Sequence, residues 1–432
     1  MIVTLRLMVS RVAIVLFALF VTGFLAFFSI RAALASYYSQ KGDLNGYERA
    51  TALEPSNSEY WFLLGRFWQY NFENPDLELA ISAYRKALSL NPESADVWAD
   101  LATAYETANR LSESNDAYLK AKSIYPQSPD IAWRYGNFLL RQGKIPSAFS
   151  EIHRAVEIDP LKSAQAFSLL MRVDPNPKDL LDKVIPPTRI GYLAILQSVD
   201  EGRDLDAGLL VWERLVPLQP RIRPQEVAEL VGHLEQAGRI EDAKHVWNQA
   251  ITLVGLNSMI DTPGSVLWDG GFESGIAGFG YAWTYSASVV HGVHIYRDSQ
   301  QPHSGHFSLR LTFDGRADLN FLDVCHRIPV QQGRRYEFSA WVRSDSITTD
   351  EGVRFVLWAL SVSNKNTVAT EDIRGTQPWT LLSTSWLAPP GAREAQACAV
   401  RRASVQPDNK IKGSVWIDDV SMVPEPSPGL DH

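Results

Sequence analysis

Trp341, Arg343, Arg354 and Trp358 combine flat aromatic faces with hydrogen-bonding cations, a combination that could stack and orient a polar ring. An indole face is a flat apolar platform, and a guanidinium beside it hydrogen-bonds ring hydroxyls. Their spacing matters as much as their type. From Tyr336 to Arg343, Tyr336, Phe338, Ala340 and Val342 alternate with Glu337, Ser339, Trp341 and Arg343. A period of two is a half-buried strand, so the first set faces a core and the second shares one open face. On the next apolar stretch, Arg354 and Trp358 oppose Val353, Phe355 and Leu357 in the same way. An equally weighted alternative buries Trp341 and Trp358 against another part of the chain or against a partner protein.

The two cysteines, Cys325 and Cys398, also fall on non-core parity, opposite Val324 and Ala397. If their strands are neighbours in an exported domain, they oxidise to a disulfide. The alternative is two free buried thiols. There is no Cys-x-x-Cys pair to support a zinc or thioredoxin-type site. No Gly-x-Ser-x-Gly elbow, P-loop or glycine-rich dinucleotide turn occurs. The pairs His291/His294 and His303/His306 sit in strand or turn context and read as surface polar residues. Acids are plentiful, yet no spacing selects a glycosidase-like pair. The expectation is a protein that is not an enzyme.

The elements that position these residues belong to an all-β C-terminal third. Val353–Leu360, Trp379–Leu387, Ala395–Arg401 and Ser414–Met422 read as further strands, with turns at Gln332-Gly333 and Pro390-Gly391. Many short strands predict a β-sandwich or jelly roll. The order Asp269-Gly-Gly-Phe-Glu-Ser274, His303-Ser-Gly-His-Phe-Ser-Leu309, Gly333–Ser344, Arg374–Trp379 and Val415-Trp-Ile-Asp-Asp-Val-Ser421 resembles the galactose-binding-like jelly rolls. The nearest resemblance is to the family 4 and 9 carbohydrate-binding modules. That fold hosts many functions. The resemblance implies a structural calcium held by Glu273 and by Asp418 or Asp419, since hard oxygen ligands suit calcium. The bland alternative is an acid pair that caps a turn or meets Arg310.

Upstream, Pro92, Pro126 and Pro160 stand 34 residues apart, as do Ala87, Ala121 and Ala155. Tyr84, Tyr118 and Ile152 keep the same beat. The unit at Trp98, Leu101, Ala102, Tyr105, Tyr118, Ala121 and Pro126 is preceded by Trp61, Leu64, Gly65, Trp68, Ala80, Tyr84, Ala87 and Pro92. It is followed by Gly136, Leu139, Ala148, Ile152, Ala155 and Pro160. This resembles the tetratricopeptide repeat, a stacked helix-turn-helix array. Such an array offers a curved groove to partner proteins. Degenerate copies flank it at Tyr47, Ala50 and Pro55, at Ala207, Val211, Trp212 and Pro220, and at Ala243, Trp247 and Ala250. Lys162–Thr188 breaks the pattern. The aromatic residues of the repeats are read as interhelix core.

Val12–Ile30 is a run of 19 residues without a charge, bounded by Arg11 and Arg31. That just spans a hydrocarbon core. Arg6 and Arg11 precede it and no acid occurs before Asp43, which places the N-terminus in the cytoplasm and the rest outside. Ala33-Leu34-Ala35 resembles a signal-peptidase site, the competing reading; the length of the run favours an uncleaved anchor. A net charge of −8 gives no general attraction to nucleic acid.

The expected organisation is a membrane anchor (1–35), an all-α repeat superhelix (36–256), a linker (257–265), a jelly-roll sandwich (266–425) and a tail (426–432). Repeat arrays fused to an anchor resemble accessory proteins of cell-surface polysaccharide assembly and export. The expectation is a single-pass protein of the bacterial inner membrane with its bulk in the periplasm. It would bind proteins through the repeats and a glycan through the jelly roll. The alternatives are a purely protein-binding scaffold and, less favoured, a polysaccharide-modifying enzyme.

Overall fold

The computed structural model describes residues 2–72, 74–202, 204–219, 221–256, 262–278, 280–285, 292–363 and 365–426. Pro220, His291, residues 257–261 of the expected linker and residues 427–432 of the tail lie outside the described residues. The chain divides into two compact units, Met1–Pro186 and Pro187–His432.

The first unit is all helix: α1 (Ile2–Ser39), α2 (Leu44–Leu53), α3 (Ser58–Tyr70), α4 (Leu77–Leu90), α5 (Ala95–Thr107), α6 (Leu111–Ile124), α7 (Pro129–Arg141), α8 (Ile145–Ile158), α9 (Ser163–Leu170) and α10 (Pro177–Lys183). Helices α3/α4, α5/α6 and α7/α8 pack as antiparallel hairpins. The repeat residues explain how they close. A Cβ on Gly65 would lie 2.6 Å from the Tyr84 ring, and one on Gly136 2.7 Å from Ile152. Only glycine permits that approach. Ala87, Ala121 and Ala155 are fully buried at the second-helix positions. Trp61 and Trp98 each donate Nε1–H to the carbonyl six residues earlier, Pro55 at 3.0 Å and Pro92 at 2.8 Å. Asp43, Asn57, Asp76 and Ser128 cap α2, α3, α4 and α7 through first-turn N–H groups. After Pro160 the period fails, and α9 and α10 are only eight and seven residues long.

The second unit opens with α11 (Arg189–Gly202), α12 (Leu205–Leu215), α13 (Ala228–Gln236) and α14 (Ile240–Leu253). Its strands follow: β1 (Val293–Asp298), β2 (Ser308–Asp314), β3 (Phe321–Pro329), β4 (Arg335–Ile347), β5 (Arg354–Ala359), β6 (Val368–Ala369), β7 (Gly375–Leu387), β8 (Glu394–Arg401) and β9 (Lys412–Pro424). They form a five-stranded sheet, β1-β2-β9-β4-β7, and a four-stranded sheet, β3-β8-β5-β6. The inward parity expected for β4 holds: Tyr336, Phe338, Ala340 and Val342 are buried in the sandwich core with Leu309, Phe355, Leu357 and Ile417.

One feature differs from the sequence reading, and one adds to it. First, β4 and β5 are consecutive in the chain but lie in opposite sheets, so their outward faces point away from each other. Second, the compact units divide at Pro186/Pro187, and α11–α14 share a unit with the sandwich. The reason lies at Trp247. Its ring meets Trp268 edge-on at 5.4 Å and Tyr281 at 6.5 Å between centres. A Cβ on Gly280 would fall 2.6 Å from it. Arg393 also donates to the carbonyl of Gly238, between α13 and α14, at 2.9 Å. Trp247 keeps the repeat spacing, yet it joins the hairpin to the β-domain.

Candidate functional site

The outward face of the five-stranded sheet carries a row of alternating rings and cations. Strand register places Tyr296 of β1 opposite Arg310 of β2, Arg310 opposite Trp416 of β9, and Trp416 opposite Arg343 of β4. The Arg310 guanidinium lies 5.7 Å from the Tyr296 ring centre and 4.5 Å from that of Trp416. Arg343 approaches Trp416 from the other side at 4.9 Å. Covered from both neighbouring strands, Trp416 is only 6% exposed. Its Nε1–H donates to Asp298 at 2.9 Å, and Arg310 meets the same carboxylate at 3.4 Å. Burial alone would raise the Asp298 carboxyl. The N–H of Gln300, Trp416 and Arg310 outweigh it and hold the group below its ordinary value.

A second cluster adjoins the row. Trp341, opposite Leu381 of β7 and Asp418 of β9, is stacked by the His303 ring at 4.1 Å and 16°. Trp379 meets His303 edge-on at 5.5 Å. Three sequence motifs converge to hold His303 there. Asp418 accepts from the backbone N–H of His303 at 2.7 Å and of Ser304 at 3.2 Å. Asp419 bonds the His303 ring and accepts from Ser304 Oγ at 2.6 Å. Glu273 accepts from the N–H groups of His306 and Phe307 at 2.7 and 2.9 Å. A bulge in β9 aims the two aspartates, with Asp419 at φ 46°. Gly270 makes this junction possible, since a Cβ there would lie 1.8 Å from the Val420 carbonyl oxygen.

The calcium expectation can be tested on these donors. Among the described residues no three His, Cys, Asp or Glu come together to hold a metal ion. Glu273 and Asp418 instead satisfy backbone amides, Asp418 also accepting from Asp419 N–H at 2.8 Å. The set fits a loop clamp better than a cation. Burial, and then the neighbouring Asp419, push the Asp418 carboxyl up to about 7. Arg310, the other proposed partner of this acid pair, meets Asp298 instead.

The four-stranded face is different. Arg354 is engaged by two carboxylates, Glu351 and Asp372. Trp358 packs against Cys325, Val356, Cys398 and Val400. Cys325 and Cys398 are register partners on neighbouring strands and form a disulfide. Glu235 of α13 bonds Arg327 of β3 on this side. Burial pushes Glu235 up to about 7 against the pull of Arg327, with Glu394 adding to the rise.

Of the four residues expected to share one sugar face, the structure brings together Trp341 and Arg343 and sends Arg354 and Trp358 to the opposite side. Trp283 is buried and donates to the Asp269 carbonyl at 2.9 Å. Tyr296, Arg310 and Trp416 were missed, and His303 was read as a surface residue. The signal was present in β9, where Ser414, Trp416 and Asp418 share non-core parity.

In the first unit the repeat helices carry a ladder of ion pairs. Arg66 of α3 and Arg134 of α7 flank Asp100 of α5 at 3.7 and 2.7 Å, and Arg141 pairs with Glu106 at 2.6 Å. These join successive repeats, and Arg66 and Arg141 remain more than half exposed.

Comparison with known proteins agrees with both readings. Residues 264–397 match the carbohydrate binding domain family, and residues 71–129 match the tetratricopeptide repeat family. The chain therefore carries tetratricopeptide repeats and a C-terminal carbohydrate-binding domain, both of non-catalytic kinds. Over 89 residues it is 32% identical to the formate-dependent nitrite reductase complex subunit NrfG of Escherichia coli O157:H7. That match spans 20% of this chain and 42% of the relative, less than half its length. Among solved structures, YrrB, a repeat protein with an unusual peptide-binding site, aligns at 16% identity. It covers 49% of this chain and 93% of its own, with a TM-score of 0.27. Pseudomonas aeruginosa pilF aligns at 15% over 53% and 93%, with a TM-score of 0.29.

Proposed function

We propose that this protein is a membrane-anchored, extracytoplasmic scaffold that grips partner proteins with its repeats and a glycan with its C-terminal domain, in cell-surface polysaccharide assembly or export. The observation that carries the glycan half is the row Tyr296, Arg310, Trp416 and Arg343 on an open sheet of a domain that matches a carbohydrate-binding family. The ion-pair ladder along α3, α5 and α7 supports the protein-binding half, because half-exposed guanidiniums can exchange an internal carboxylate for a partner's.

The anchor reading is supported by α1. Val12–Ser39 is helical, and its most apolar 18-residue window has a mean hydropathy of 2.6 with none of that window buried. The same helix continues into the repeat core. Ala35 is fully buried with Ala50 and Tyr60, and Arg31 donates to the Leu53 carbonyl at 3.1 Å. A signal peptidase needs an accessible, extended Ala33–Ala35. Here that stretch is helix, and cutting it would uncover Ala50. Membrane pellets washed at alkaline pH should retain the protein with an intact N-terminus; a mature chain beginning after Ala35 would restore the signal-peptide reading.

The glycan half is tested with the full-length chain in detergent on an array of neutral and acidic oligosaccharides. Retention of a glycan that is lost in Trp416→Ala supports the site, provided the variant keeps its circular dichroism. Retention of none leaves a purely protein-binding scaffold. The packing of α13–α14 already favours a structural role for the four-stranded side.

A further inference from the structure

We propose that the five-stranded face selects acidic sugars, seating a carboxylate on Arg343 where it stacks on Trp416. The inference rests on the glycan reading above and names its ligand class.

A neutral sugar is held chiefly by stacking on an uncovered ring face, and this surface offers few. Trp416 lies between two guanidiniums at 4.5 and 4.9 Å and is 6% exposed. Trp341 lies under the His303 ring at 4.1 Å. What the face presents outward is the set of N–H donors stacked on those rings.

The charge balance within the set is uneven. Arg310 has Asp298 at 3.4 Å and Ser414 Oγ at 3.2 Å. The His303 ring has Asp419. The Arg343 guanidinium, half-buried, makes no ion pair or hydrogen bond among the described residues and lies 4.9 Å from the Trp416 ring centre. The nearest acid on its own strand face, Asp345, accepts from Ser346 and Thr376 hydroxyls. Asp418, on the neighbouring strand, is turned to backbone amides. A half-buried guanidinium with no counter-charge is a poor arrangement for stability alone and a good one for an incoming carboxylate. Stacking on Trp416 fixes the plane of its fork. Tyr296, 42% exposed at the end of the row, is the ring left open to the next sugar residue.

The test uses the full-length chain in detergent, titrated calorimetrically with oligogalacturonate and with its methyl ester, which has the same backbone without the charge. A sulfated neutral oligosaccharide separates carboxylate from sulfate recognition. The acid form should bind, the ester should bind about tenfold or more weakly, and added salt should weaken the acid form. Arg343→Gln should lose the same factor for the acid and little for the ester, while Arg343→Lys should recover part of it. Equal binding of acid and ester, unchanged in Arg343→Gln, would overturn the acidic assignment and leave a glycan site standing. Binding of neutral glycans alone on the array would do the same. Retention of no glycan at all would remove both readings.

Discussion

The two outward faces of the sandwich carry the same residue types, tryptophan beside arginine, and use them in opposite ways. On the four-stranded side Arg354 is neutralised by Glu351 and Asp372, and Trp358 covers a disulfide. On the five-stranded side Arg343 faces an aromatic ring and, among the described residues, no carboxylate. Residue type and strand parity are identical in the two cases. The difference lies in what the neighbouring strand supplies, and that is set by sheet topology. On the proposed reading, a tryptophan–arginine pair is available to a ligand only where cross-strand partners leave it unsatisfied.

The structural side should therefore respond to mutation in stability and not in glycan binding. The largest effect is expected from Trp247→Ala, which empties the junction between α14, Trp268 and Tyr281. Truncating a fully buried tryptophan costs about 3–5 kcal/mol. Denaturant melts of the second unit should show it, and an unchanged midpoint would mean the hairpin is not part of the β-domain's core. The same contact means that a fragment starting near 258 lacks Trp247, so the full chain is the proper test material. Next is Cys325→Ser, which opens the disulfide; about 2–4 kcal/mol should be lost. Titration of that variant with any retained glycan should give wild-type affinity. A weakened affinity would extend the binding site to the four-stranded side.

Acid should act on the structural side as well. His326 of β3 is fully enclosed and bonds the Trp268 carbonyl at 3.0 Å. Burial lowers its imidazole from 6.5 to about 4. A depressed histidine contributes no penalty above its unfolded value. As pH falls from 6.5 toward 4 the unfolded chain takes up a proton that the folded chain refuses, and stability drops. About 2.5 units at about 1.4 kcal/mol each sets a ceiling of about 3.5 kcal/mol. Glu235, raised to about 7, works in the other direction over part of that range. The check is thus a difference: wild type minus His326→Gln should shrink between pH 7.5 and pH 4. A constant difference would show that His326 titrates normally.

Much of the architecture was legible. The period of 34 located the hairpins because Gly65, Ala121 and Gly136 must be small where helices touch. Alternation located β4, β7, β8 and β9, since a half-buried strand has to alternate. The disulfide followed from parity, and the structure supplies the missing fact that β3 and β8 are neighbours. What alternation cannot encode is which strands pair. Arg354 and Trp358 obey the same parity rule as Trp341 and Arg343, and a crossover between sheets separates them. Trp416 was hidden for a similar reason. Its partners Arg310 and Arg343 are distant in sequence, and only β9, inserted between β2 and β4, brings them to one ring.

The smallest expected effect concerns the clamp that holds His303 over Trp341. If Glu273, Asp418 and Asp419 act alone, chelation with EDTA and return of calcium should leave the melting temperature unchanged. The reason is that the acids already have donors: His306 and Phe307 amides on Glu273, His303, Ser304 and Asp419 amides on Asp418, and Ser304 Oγ with the His303 ring on Asp419. A cation would have to compete with these bonds, and no three acidic or histidine ligands converge among the described residues to repay their loss. A melting temperature that rises with calcium and falls with EDTA would show instead that the ion binds the folded domain. The same titration repeated on Glu273→Gln would then tell whether the ion sits at the opening motif. Glycan affinity measured with and without EDTA completes the comparison: a platform built by the protein alone keeps its affinity, and an ion-built one loses it.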